Sequence, residues 1–304
     1  MNFHQLGYVM AVCEEKNFME AAEKCNVTQS TLSTMILKLE EEIGISIFDR
    51  KTKPVQLTKE GSLLVEKMKL IIREVDDFKE VVKELKGELS GELKIGVIPT
   101  VAPFVFPLFL YEFSRKFPMI TLTIREDVTE NIKRDLLNRT LDIGFLSLPI
   151  DSNDLVQTPL YDEHYKLYSY VENEVIEKEK IDLRDINKEK LWLLAEGHCM
   201  RTQIEELCSM NREVKEWENL NYEAGSIDTL IRLVKQTKGL TLLPYLSTID
   251  FTEEEKKYLF SFMDPVPARK IGLLTHKHFV KQKLLKIIKE EILDAVRKHI
   301  DINN

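Results

Sequence analysis

Excess basic charge is missing from this chain. Its 304 residues carry 43 Lys and Arg against 51 Asp and Glu, a formal net charge of −8. No overall positive field therefore points to nucleic acid. Cysteine is also scarce. Four Cys in a chain of this length exclude a disulfide-built scaffold and fit a reducing compartment. Long apolar runs are absent: the most hydrophobic stretch, residues 101–113, is short and interrupted by Pro103 and Pro107, so it does not span a bilayer. The first 25 residues mix Glu and Lys among the apolar positions, which excludes a secretory signal. A cytoplasmic protein without membrane contact is predicted. The chain has no Gly-x-Ser-x-Gly, no P-loop and no His-Glu-x-x-His. His276-Lys277-His278 reads as a solvated strand end rather than half a metal site. Neither a cofactor nor a metal is expected.

What the chain has is length for two or three domains, with 43% hydrophobic residues to build their cores. Leu6, Val9, Met10 and Cys13 recur at helical spacing and predict a helix over residues 2–15. Phe18, Ala21 and Ala22 mark a second. Thr28 is placed to cap a third, with Leu32, Ile36 and Leu39 facing inward. Two helices joined by a tight turn, with Ala at their crossing, describe a helix-turn-helix. Its outward face would show Gln29, Ser30, Thr31, Ser33, Thr34 and Lys38 beside Thr28, short polar groups suited to a major groove. Arg50, Lys51 and Lys53 then form a basic turn between Ile47-Phe48 and Val55-Gln56-Leu57, as in a β-hairpin wing for backbone contact. Residues 1–60 hold seven Lys and Arg against nine Asp and Glu, so composition alone also allows a helical bundle with a solvated face.

Asn17-Phe18-(x)2-Ala21-Ala22, Val27-Thr28-Gln29-Ser30-Thr31-Leu32-Ser33, Leu39-Glu40-(x)2-Ile43-Gly44-(x)2-Ile47-Phe48-Asp49-Arg50 and Leu57-Thr58-(x)2-Gly61 together resemble the head of the LysR family of bacterial transcriptional regulators. The resemblance implies a winged helix-turn-helix over residues 1–60, an all-α head on an otherwise α/β protein. Double-stranded DNA with two related half-sites and RNA polymerase are its implied partners.

Leu64, Met68, Ile71, Val75, Phe78, Val82 and Leu85 alternate at spacings of four and three, a heptad seam on a helix otherwise covered in charge. Residues 61–90 are read as a linker helix and hinge, with Gly87, Ser90 and Gly91 ending it. A homodimer through residues 64–85 is predicted, and a homotetramer beyond it.

Beyond Glu92, strands are predicted at 93–98, 120–124, 141–146, 191–194, 240–243 and 269–275. Helices are predicted at 103–117, 131–138, 200–210, 227–236 and 282–299. Strands alternating with helices imply a parallel sheet. By resemblance to the family's regulatory region, of solute-binding-protein type, residues 91–304 form two lobes. The first comprises 91–163 and 269–304, and the second 164–268.

Cys199 follows Gly197-His198 and precedes a predicted helix, where backbone N–H groups favour a thiolate; Arg201 and His198 add positive charge nearby. Cys208 lies nine residues on. With that helix intact, the two Cα atoms stand roughly 13.5 Å apart, whereas a disulfide tolerates about 7 Å. Bonding would require unwinding. The residues alone equally allow both thiols to be small core hydrophobes. Cys13 and Cys25 are assigned to packing. Gly91-(x)4-Gly96-Val97-Ile98-Pro99-Thr100-Val101-x-Pro103, Glu196-Gly197-His198-Cys199 with Cys208, and Gly239-Leu240-Thr241-Leu242-Leu243-Pro244 look like the peroxide-sensing branch of the LysR family. That resemblance implies hydrogen peroxide as the signal, Cys199 as the peroxidatic residue and Cys208 as the resolving one. Thr100, Thr129, His198 and Arg201 would line the peroxide pocket. The expected function is a peroxide-responsive regulator rather than an enzyme. The alternatives are a metabolite-responsive LysR-type regulator, with its inducer between the lobes, and a thiol peroxidase.

Overall fold

The computed structural model describes residues 1–171, 180–208 and 222–300. The chain begins with α1 (Phe3–Glu15), fixed at its start by a reciprocal capping box between Asn2 and Gln5. Helix α2 (Phe18–Lys24) is capped by Asn17, and α3 (Gln29–Ile43) by Thr28, whose hydroxyl accepts from the Thr31 N–H. Ala21 and Ala22 are buried where these helices meet, and Leu32, Ile36 and Leu39 are fully buried beneath them. Strands β1 (Phe48–Asp49) and β2 (Gln56–Leu57) pair antiparallel, which gives the expected wing.

The next helix, α4 (Lys59–Lys86), runs 28 residues from a Thr58 cap to Gly87, which takes the left-handed φ of 76° that ends it. The predicted seam divides in two. Val65 and Met68 are buried in the core of the head, with Leu64 partly buried beside them. Ile71, Phe78 and Leu85 stand exposed. The first turns of α4 thus help to close the core of the head.

Two compact units result, Met1–Glu88 and Leu89–Asn304. The second opens with β3 (Gly91–Val97), α5 (Ala102–Val105), α6 (Leu110–Lys116), β4 (Ile120–Glu126), α7 (Thr129–Leu137) and β5 (Ile143–Leu148). It continues with β6 (Leu155–Ser169), β7 (Lys180–Ile181), α8 (Cys199–Leu207), α9 (Ile227–Thr237) and β8 (Leu240–Pro244). It closes with α10 (Glu253–Lys256), β9 (Leu259–Phe262), β10 (Ala268–His276) and α11 (Gln282–Val296). The β3 strand lies parallel between β4 and β5, as predicted. The sheet as a whole is mixed: β10 runs antiparallel to both β5 and β6, and the far half of β6 takes β8 and β9 antiparallel. Only a short link (149–154) separates β5 from β6, too little for the helical crossover a parallel arrangement demands.

Two separate hydrophobic cores form in this unit. One gathers Val97, Ile132, Phe145 and Ile288, and the other Trp192, Met200, Ile204 and Leu242. Phe104 packs against both. The two cores give the lobed organisation physical content.

Several sequence expectations are corrected. The helix expected at 103–117 is broken into α5, a 3-10 turn (Phe106–Leu108) and α6, since Pro107 has no N–H to continue the ladder. Residues 191–194 make only isolated bridges, Leu191 to Leu240 and Leu194 to Ala224. The helix expected at 200–210 begins one residue earlier and ends at Leu207, with 209–210 outside the described residues. The final helix stops at Val296. The long β6 went unpredicted, because its outer half is polar and carries Pro159.

Candidate functional site

Gly197 takes a φ of 90°, a conformation that L side chains rarely adopt, and so turns the chain into α8. His198 is the N-cap, and Cys199 is the first helical residue. The thiol faces away from the rest of its helix in packing terms. Cys199 packs against the first core, whereas Met200, Ile204 and Cys208 belong to the second. All four cysteines are free thiols. Burial raises the Cys208 thiol above its ordinary value and pushes Cys13 to about 11.

Arg269 lies within electrostatic reach of Cys199. Arg269 and Glu163 are almost completely buried and sit opposite each other on β10 and β6. Arg269 Nε donates to Glu163 Oε2 at 2.9 Å, Nη1 donates to Thr100 Oγ1 at 2.9 Å, and Nη2 donates to the Thr100 carbonyl at 3.0 Å. The Leu246 N–H donates to the other Glu163 oxygen at 2.9 Å. Burial works against the Arg269 charge, and the Glu163 carboxylate together with Tyr165 and Cys199 more than offsets it. Tyr165 also feels Cys199, and desolvation is the main cause of its raised hydroxyl pKa. The Tyr165 hydroxyl donates to Gln203 Oε1 at 3.1 Å, and Gln203 Nε2 donates to Ser147 Oγ at 2.8 Å. Gln203, one turn after Cys199, thereby ties α8 to β5 and β6.

Thr129 is the first residue of α7. Its buried hydroxyl has no hydrogen-bond partner among the described residues. The neighbouring Val128 lies 4.0 Å from where a Cβ on Gly197 would stand, which places this helix start beside the Gly197 turn. His198 is half-buried, and burial lowers its pKa, so the ring favours its neutral form. Thr100 is bound to Arg269, which lies within electrostatic reach of Cys199, and the start of α7 lies beside the Gly197-His198 turn.

Arg201 has partners of its own. Two positions beyond Cys199 is about 200° around the helix, and its guanidinium binds Glu205 at 2.9 Å and the Leu194 carbonyl at 3.1 Å. The missed residues are Arg269, Glu163, Gln203 and Tyr165. The available signal was an arginine and a glutamate within otherwise apolar strands.

On the head, Thr28, Gln29, Ser30, Thr31, Thr34 and Lys38 are exposed along one side of α3. Ser33 is half-buried and accepts from Arg50 Nη1 at 2.9 Å. Arg50 also pairs with the buried Glu40 at 3.0 Å and lies 5.0 Å over the Phe18 ring, so it clamps the head together. Glu40 accepts the Ile47 and Phe48 N–H groups as well. Lys51 and Lys53 remain exposed on the wing. Among the described residues no three His, Cys, Asp or Glu groups converge as a metal site, and no helix is long and apolar enough to cross a membrane.

Comparison with known proteins fits this architecture. Residues 3–62 match the bacterial regulatory helix-turn-helix protein, lysR family, and residues 86–297 match the LysR substrate binding domain. The chain belongs to the LysR family. Within it, the chain is of the OxyR type. It is 33% identical to the hydrogen peroxide-inducible genes activator of Pectobacterium carotovorum over 99% of this chain and 97% of that protein. It is 32% identical to the DNA-binding transcriptional dual regulator OxyR of Escherichia coli K12, over 99% and 96%. A full-length cysteine-to-aspartate OxyR from Pseudomonas aeruginosa superposes with a TM-score of 0.72 at 29% identity, covering 96% of this chain and 98% of that one. A hydrogen-peroxide-bound cysteine-to-serine OxyR from Corynebacterium glutamicum gives 0.65 at 26%, covering 99% and 94%.

Proposed function

We propose that this chain is a cytoplasmic, DNA-binding transcriptional regulator that senses hydrogen peroxide through Cys199. The placement of the two thiols carries the reading: Cys199 stands at a helix start, packed on the first core and within electrostatic reach of Arg269, and Cys208 is buried in the other core.

The Cys199 thiolate attacks one peroxide oxygen as the O–O bond breaks. It becomes a sulfenic acid and releases hydroxide, which takes a proton. The Thr100 and Thr129 hydroxyls hold the peroxide oxygens, and Arg269 steadies the charge that passes from sulfur to the leaving oxygen. The Cys208 thiol then attacks the sulfenic sulfur. A disulfide forms and water leaves. Cys208 closes the far end of α8, so that bond requires α8 to unwind and Met200 and Ile204 to leave the second core.

Such a refolding repacks the regulatory unit and changes how the heads engage DNA. Chains pair through the exposed Ile71, Phe78 and Leu85 stripe of α4, and two heads then read two half-sites. The exposed side of α3 enters the major groove, and Lys51 and Lys53 meet the phosphate backbone. RNA polymerase acts at the promoters so regulated. Peroxide is a signal consumed once per switch, so the protein is not an enzyme.

The test is differential alkylation and mass spectrometry of reduced protein before and after near-stoichiometric peroxide. A Cys199–Cys208 linked peptide is expected, with Cys13 and Cys25 still alkylated. Four unreacted thiols would rule the proposal out. In Cys208→Ser protein the linked peptide disappears, and a sulfenic acid at Cys199 is trapped by dimedone.

A further inference from the structure

We propose that a cavity along β6 and β10 binds a small polyanion. Glu163 lies opposite Arg269 and Asp162 lies opposite Lys270. Successive side chains alternate across a sheet. Lys270 therefore alternates with Arg269 along β10, as Asp162, His164 and Lys166 alternate with Glu163 along β6, and Tyr161 and Tyr165 join them at the cavity. Its volume is about 710 Å³, within the range of small-ligand sites.

The charge within it is unbalanced. Lys166, Lys180 and Lys270 converge on the space, with His164 and His299 at its edge, against the single carboxylate of Asp162. Among the described residues none of the three lysines has an ion-pair partner. Lys166 is the most constrained. It is half-buried, its Nζ donates to Ser261 Oγ at 2.8 Å, and it lies 5.8 Å over the Tyr245 ring. Burial lowers its pKa, as for a cation without a counter-charge.

Three cations call for two or three negative charges on the ligand. Leu160, Val266, Ile300 and the Tyr245 ring provide an apolar wall for its carbon skeleton. Carboxylates and phosphates share the required chemistry. The walls come from both sides: Leu160 belongs to the first core, whereas Phe262 belongs to the second and Val266 packs against it. A bound polyanion therefore links the two halves.

The experiment is isothermal titration of the reduced full-length protein with citrate and, separately, with pyrophosphate. The readout needs no peroxide chemistry, so it stands apart from the function proposed above. Saturable binding of one anion per chain is expected, and the better of the two probes identifies carboxylate or phosphate as the preferred head group. Lys270→Gln, at an exposed position that folding does not need, weakens binding at least about 10-fold, as loss of a charge-assisted hydrogen bond does. Lys166→Gln does the same. Lys277→Gln, whose lysine pairs with Asp154 outside the cavity, leaves binding unchanged. The proposal is overturned if neither anion binds saturably by about 10 mM, the millimolar limit of useful affinity. Binding of wild-type strength in Lys270→Gln and Lys166→Gln would overturn it too, since the anion would then sit elsewhere.

Discussion

Arg269→Met separates what the buried ion pair does for stability from what it does for the thiol. The substitution leaves the Glu163 carboxylate at 1% side-chain exposure, with only the Leu246 N–H to satisfy it. Breaking a buried pair from one side costs about 3–5 kcal/mol. For a unit of this size each kcal/mol moves the melting temperature by about 2–4 °C, so a fall of roughly 6–20 °C is expected by calorimetry. The double variant Arg269→Met, Glu163→Gln removes the stranded charge and keeps an acceptor for Leu246. It recovers most of the loss, with a deficit of about 1–3 kcal/mol for amide hydrogens left unpaired. Peroxide reactivity does not recover, because the buried cation within electrostatic reach of Cys199 is still gone. The rate of Cys199 oxidation, followed by timed alkylation, falls at least about 10-fold in both variants, a small share of what a lost charge-stabilising donor costs. A double variant that oxidises at the wild-type rate refutes the assignment of Arg269. A single variant that melts within 2 °C of wild type refutes the energetic argument.

Other expectations follow from single contacts. A Cβ on Gly61 would stand 2.1 Å from the Ile47 carbonyl oxygen, so Gly61→Ala forces α4 off the wing and costs about 3 kcal/mol or more, visible as early melting of the head. Lys51→Ala lowers the salt slope of DNA binding by about 1 if it meets a phosphate. Arg50→Ala instead destabilises the head, since it leaves Glu40 and Ser33 without their clamp. The pKa of His198 is lower folded than its ordinary 6.5. Its contribution to stability is therefore complete above about pH 7 and is lost as pH falls through its folded value, because the unfolded chain takes up the proton first. His198→Asn flattens that acid limb in a pH series of melting curves.

The head was almost fully legible because its signals are local. Thr28, Asn17 and Thr58 cap helices within four residues of where their side chains act, and Ala21 and Ala22 announce a crossing. The thiol site was half legible. Gly197-His198-Cys199 declares itself in sequence, but the buried cation within electrostatic reach of the thiol comes from a strand seventy residues away. Proximity in sequence pointed to Arg201, which the helical period turns aside. Thr100 was found by resemblance and not by physics, and Glu163 was hidden inside β6, whose Pro159 and polar outer face broke the alternation expected of a strand. Long-range pairing, not local propensity, decides such residues.

The separation of the two thiols into different cores bears on when the proposed switch trips. Disulfide formation between them draws Met200, Ile204 and Cys208, all buried in the second core, out of their places. The work of disrupting that packing adds directly to the reduction potential of the pair. By the equivalence of 30 mV to about 1.4 kcal/mol for a two-electron couple, each kcal/mol of packing around α8 shifts the potential by roughly 20 mV. The redox threshold of such a sensor is then a property of apolar side chains that never touch an oxidant. An Ile204→Val change, far from the peroxide, would reset it as surely as a change beside the sulfur.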